Sequence, residues 1–165
     1  MPTTMGGVRR ALTDGSFEVL SGVGFAVTGP LRLEYPDWSE EDLEYLAMQD
    51  ASRASLRLLA AADADEPPLR VVLAAEVAAD LVTPRPEADR AVVRVIGPID
   101  WSLIAAVHVD GADAGPAVRE AVAVIDAADL GDHDAEFILG SAEDYELAWY
   151  APGEIGYFLE ELGSE

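Results

Sequence analysis

SEEDLEYLAMQDASRASLRLLAAADADEPPLRVVLAAEV, residues 39–77, decides the fold, because it holds a capped helix, a turn and a buried strand in one run. Ser39 stands three residues before Asp42 and is followed by Glu40 and Glu41. That spacing lets serine and carboxylate satisfy each other's orphan amides, and acidic residues suit the positive end of a helix dipole. Leu43, Ala47, Ala51, Ala54 and Leu58 recur at helical spacing, which predicts one long helix to about Ala62 with an alanine-rich stripe packed closely on a sheet. Asp63 to Pro68 reads as a turn. Leu69 to Val77 is nearly continuous apolar sequence, the pattern of a strand buried on both faces.

Upstream, residues 3 to 14 read as a short helix, capped by Thr3 or Thr4 and ended by Gly15. Val23 to Thr28 reads as a strand, and Gly29-Pro30 and Pro36 then punctuate a loop carrying Tyr35 and Trp38. Downstream, a proline-bearing connection from Thr83 to Ala88 leads to a β-rich run from Ala91 to Ile96, broken by Gly97-Pro98. Ile104 to Val109 reads as a further strand, closed by Asp110-Gly111. Pro116 suits a first helical turn, Val118, Val122 and Ile125 mark one face, and Gly131 ends that helix. Asp132 to Leu139 and Ser141 to Tyr150 read as two more short helices, the second limited by Pro152. The sum is an α+β fold: a mixed sheet of about 3–5 strands covered by one long helix and C-terminal helices. There is no internal repeat, so residues 1–165 are expected to form one domain.

The chain has 165 residues and a formal charge of −22. Half of its residues are hydrophobic and a quarter are charged, the balance of a globular chain that buries a core. No segment approaches the roughly 20 apolar residues of a membrane span, and the start lacks a basic region followed by an apolar stretch. Cysteine is absent, which excludes disulfides, thiolate metal sites and cysteine nucleophiles, and makes the cytoplasm the expected compartment. All ten cations are arginine. Without lysine there is no Walker A lysine, no Schiff base to pyridoxal phosphate and no kinase-type ATP lysine. So strong a negative charge also repels nucleic-acid phosphates and anionic headgroups, so neither nucleic acid nor membrane is an expected partner.

Each constellation that could carry chemistry has a plainer structural reading. Asp132, His133, Asp134 and Glu136, with Asp129, gather metal donors, but their spacing fits neither an EF-hand nor a two-histidine zinc motif; a helix's first turn attracts such acids anyway. No metal or cofactor is therefore expected. His108 and Asp110 lie two apart on a strand, hence on one face, as an oriented general base would need. No Gly-x-Ser-x-Gly elbow supplies a nucleophile, and a strand-end histidine satisfied by its neighbours is the commoner arrangement. Arg53 and Arg57 are one helical turn apart on a shoulder of the apolar stripe, where like charges repel unless something anionic lies between them. The functional version is a clamp for a ligand oxyanion; the structural one is that Asp50 and nearby carboxylates satisfy both. Gly22-Val23-Gly24 precedes a strand instead of following one, so it is not a dinucleotide loop. Tyr145 and Trp149, four apart, read as core on a helix, whereas Trp38 and Tyr157 are the aromatic residues expected at a partner surface.

Three stretches, EEDLEYLAMQDASRASLRLLAAA (40–62), SLIAAVHVDGADA (102–114) and DYELAWYAPGEI (144–155), resemble an uncharacterised actinobacterial protein family, a domain of unknown function. The resemblance implies an actinobacterial source and no activity. The expected function is a non-catalytic interaction or regulatory module with a protein partner. Two alternatives stay open: a small-molecule-binding protein or enzyme with a pocket lined by Arg53, Arg57, His108 and Asp110, and a mimic of nucleic-acid charge.

Overall fold

The computed structural model describes residues 1–163. In chain order it comprises β1 (Pro2–Thr3), α1 (Met5–Asp14), β2 (Ser16–Phe17), β3 (Val23–Phe25), α2 (Gly29–Glu34), α3 (Glu40–Ala60), β4 (Val71–Ala75) and β5 (Val82–Pro84). It continues with β6 (Val92–Val95), β7 (Ile99–Asp100), β8 (Ile104–Asp110), α4 (Gly115–Asp129), α5 (His133–Glu143), β9 (Leu147–Tyr150) and α6 (Ile155–Leu162). The fold is α+β. Its strands divide into three antiparallel sheets, ordered β1-β4-β8-β9, β2-β7 and β3-β6-β5.

The four-stranded sheet carries the molecule, with β4 and β8 inside it as their apolar sequences require. Side chains alternate along a strand, so Val71, Leu73, Val107 and Val109 point to one face. There they meet Met5 and Val8 of α1 and Ile155 of α6. The opposite face carries the row Val72, His108 and Trp149, and α3 packs over its β1–β4 side.

The start of α3 is the reciprocal cap read from sequence: the Asp42 amide donates to Ser39 Oγ at 3.2 Å, and the Ser39 amide donates to Asp42 Oδ2 at 3.1 Å. Its buried stripe differs from the expected one. Leu43, Ala47 and Ala51 are buried, but Ser52, Ser55, Leu56 and Leu59 replace Ala54 and Leu58 further on. Ser55 explains the shift: its hydroxyl donates to the Thr3 carbonyl at 2.7 Å and accepts from the Val71 amide at 2.9 Å, so a buried polar group satisfies two strands at once. The helix then divides its packing. Leu43 and Ala47 join Leu31 and Ala91, whereas Leu56 and Leu59 join Val118, Ile125 and Leu139 of the α4–α5 hairpin.

Two segments depart from the sequence reading. Gly29 to Glu34 is helix α2, not loop, because Thr28 accepts from the Leu31 amide at 3.2 Å and Pro30 sits in the first turn, where its missing N–H costs nothing. Ser141 to Tyr150 is not a helix. α5 ends at Glu143, and residues 147–150 form β9, paired with β8 through Val107↔Tyr150 and His108↔Trp149. Thr4, and not Thr3, caps α1. Gly7 fits the first turn of α1 for want of a side chain, since a Cβ there would stand 2.0 Å from Thr3 Oγ1.

Candidate functional site

A charge within an apolar strand run needs a partner, because burying it alone is costly. Arg70 opens the run that continues into β4 and is only 1% exposed. Asp110, the last residue of β8, is fully buried beside it. Arg70 Nε donates to Asp110 Oδ2 at 2.9 Å and Nη2 donates to Oδ1 at 2.6 Å. The Arg70 amide adds a bond to Oδ2 at 2.8 Å, and Nη2 also donates to the Tyr145 carbonyl at 2.8 Å, anchoring the segment before β9. Arg70 is not among the candidate residues named from the sequence, although an arginine between Leu69 and Val71 in an apolar strand run is itself the signal of a buried pair.

This pair changes the meaning of His108 and Asp110. They share a face, as two residues apart on a strand must, but both oxygens of Asp110 are engaged by Arg70 and the imidazole is left without an orienting carboxylate. Burial, and then the nearby Met1 amino group, hold His108 below its ordinary value of 6.5, so it is neutral at pH 7. The Met1 nitrogen donates to the Leu73 carbonyl at 2.7 Å, and burial brings its pKa to about 5.

A cavity of about 650 Å³ opens over these groups, between the first half of α3 and the sheet. Arg70, Ser52, Ala74 and His108 lie at its floor, and the exposed side chains of Glu41, Glu44, Tyr45 and Glu146 stand at its rim. Met48 and Gln49 line it from the helix. A second cavity of about 570 Å³ adjoins it, and Glu44, Met48 and Ala74 line both. The second is largely apolar, running among Ala47, Val72, Val27 and Val93. The Ser52 hydroxyl donates to the Gln49 carbonyl at 2.8 Å, a local helix bond that does not activate it as a nucleophile.

Arg53 and Arg57 lie elsewhere, facing the α4–α5 hairpin. Arg53 Nη2 donates to Glu136 Oε1 at 2.7 Å and to Asp129 Oδ1 at 3.2 Å. Arg57 forks onto Asp129, from Nε to Oδ2 at 2.6 Å and from Nη2 to Oδ1 at 2.8 Å. Hydrogen bonds from Arg57 lower the pKa of Asp129, and those from Arg53 lower that of Glu136. The anions between the two arginines therefore come from α4 and α5. Asp50 forms no hydrogen bond or ion pair with either arginine among the described residues: burial raises its pKa against the attraction of Arg90, Arg53 and Arg57, and its Oδ2 lacks a hydrogen bond. The structure brings Arg53 and Arg57 together, and His108 with Arg70 and Asp110, but the two sets do not share a cavity.

Asp132, in the segment weighed as a metal cluster, caps α5 by accepting from the Ala135 amide at 2.9 Å, while Asp129 and Glu136 receive the arginines. Among the described residues no group of three or more His, Cys, Asp or Glu side chains is disposed to hold a metal ion, and no helix is long and apolar enough to cross a membrane. Trp38 rests against Tyr35, ring centroids 4.4 Å apart, and is half-exposed. Tyr157 on α6 is 72% exposed. Trp149, expected in the core of a helix, instead stands 60% exposed on β9 beside His108.

Neither the curated proteins nor the solved structures contain a significant match to this chain. Its sequence is matched from residue 1 to residue 159, nearly end to end and through every element of the cleft, by one family, and the chain thus belongs to DUF6912, a family of unknown function.

Proposed function

We propose that this protein is a non-catalytic binding module whose binding site is the cleft between α3 and the four-stranded sheet. One observation carries the reading: the first half of α3 stands over Ala74 and His108 without closing on them, leaving two adjoining cavities of about 650 and 570 Å³. Cavities that hold small ligands measure roughly 300–1,000 Å³ and combine apolar walls with a few convergent polar groups, which is the composition of this one. A non-catalytic role is supported by the engagement of Asp110 with Arg70, which deprives His108 of the partner that an acid–base pair needs, and by the commitment of the Ser52 hydroxyl to the Gln49 carbonyl of its own helix. The expected clamp of Arg53 and Arg57 does not compete for this role, because carboxylates of the same chain already fill it.

The test is a fragment screen followed by NMR on the full chain. Hits are expected to shift the signals of Ala74, His108 and Leu147, and Ala74→Trp, which fills the space shared by both cavities, is expected to abolish them. Hits that scatter over the surface, or that survive Ala74→Trp unchanged, would refute the cleft as the binding site.

A further inference from the structure

The charge distribution within the cleft selects among ligand classes. Its floor offers hydrogen-bond donors without net charge. The guanidinium of Arg70 is neutralised by Asp110 at 2.6 Å, yet its N–H-bearing side chain still lines the cavity. His108 lies beside it, with no hydrogen bond to its ring among the described residues. At the rim stand three carboxylates, Glu41, Glu44 and Glu146, and the one arginine among the lining residues, Arg70, is already paired with Asp110. A ligand carboxylate set on Arg70 would face Asp110 behind it and the glutamates before it, in a chain of net charge −22. A neutral carbonyl oxygen meets no such repulsion, and an ammonium group at the rim is attracted. Tyr45, Met48, Ala74 and Leu147 supply the apolar wall between floor and rim.

We infer that the cleft takes an apolar organic monocation that also carries a neutral carbonyl acceptor, with the carbonyl on Arg70 and His108 and the ammonium among Glu44, Glu41 and Glu146. The inference rests on the cleft being the binding site and adds the class of ligand.

Four matched probes test it by NMR titration of the full chain at neutral pH. These are 4-(aminomethyl)benzamide, which has both features, benzylamine, which has only the cation, benzamide, which has only the acceptor, and 4-(aminomethyl)benzoate, which replaces the neutral acceptor by an anion. The first is expected to bind most tightly. Glu44→Gln is expected to weaken it about fivefold, the size of a partly solvated ion pair, while leaving benzamide unaffected. His108→Phe is expected to reduce its advantage over benzylamine, and added salt to weaken both amines. Benzamide or the benzoate binding as well as the amide-bearing amine, or indifference to Glu44→Gln, would overturn the ligand class and leave the cleft standing. If no probe moves the signals of Ala74, His108 or Leu147, the ligand class and the cleft reading fall together.

Discussion

The arginine cluster that ties α3 to the α4–α5 hairpin and the arginine pair beneath the cleft use the same chemical groups under opposite conditions. Arg53, Arg57, Asp129 and Glu136 keep between about a quarter and two-fifths of their side-chain surface in contact with water. Water competes for every bond there and salt screens what remains. Arg70 and Asp110 keep almost none. Their attraction is unscreened, but each has lost its hydration and depends wholly on the other. The exposed cluster can be altered at little cost, whereas the buried pair is fixed, and only the buried pair faces the open cavity.

The sharpest way to break this contrast is Asp110→Ala, which leaves a guanidinium buried without its counter-ion. A loss of about 3–5 kcal/mol in unfolding free energy is expected by chemical denaturation. A loss within 1 kcal/mol would mean that water reaches Arg70 and that the two clusters are alike. Asp129→Ala removes the fork to Arg57 and one contact to Arg53, and is expected to cost at most about 1 kcal/mol, less in high salt.

The smallest effect concerns His108. Its pKa in the folded state is lowered by burial, so between that value and the unfolded value of about 6.5 the unfolded chain binds more protons. Stability therefore falls as pH drops below about 6.5. The titratable groups that line the same cavity are Arg70, Glu41, Glu44, Tyr45, Tyr145 and Glu146, and the Met1 amine, which acts on the ring, titrates in the same direction. The difference between wild type and His108→Gln isolates the histidine's share. Identical pH slopes for the two proteins would show that the imidazole is solvated.

What could be read from the sequence was what neighbouring residues decide. The cap at Ser39, the length of α3, the apolar runs of β4 and β8 and the acidic first turn of α5 all follow from spacing within one element. β9 escaped because a four-residue edge strand owes its existence to β8, 37 or more residues earlier, while Tyr145 and Trp149 happen to fall at helical spacing. α2 escaped because glycine and proline at a helix start are the same residues that mark a loop. Half of the candidate site was visible: His108 and Asp110 stood out as a same-face pair. Their separation was not, since it depends on Arg70 reaching across the ladder. The partners of Arg53 and Arg57 likewise lie 72 to 83 residues away, where no local pattern points.

The bond between Arg70 and Asp110 also governs how the sheet aligns. The Arg70 amide and guanidinium hold one carboxylate, and the Asp110 amide donates back to the Arg70 carbonyl at 3.1 Å. Slipping β4 against β8 by one residue would rotate Arg70 to the opposite face, among Met5, Val8 and Val107, and leave Asp110 buried alone. The side chains of β4 are apolar on both faces, so they discriminate weakly between such alignments. A single ion pair thus acts as the tooth that lets two smooth strands engage in one position only.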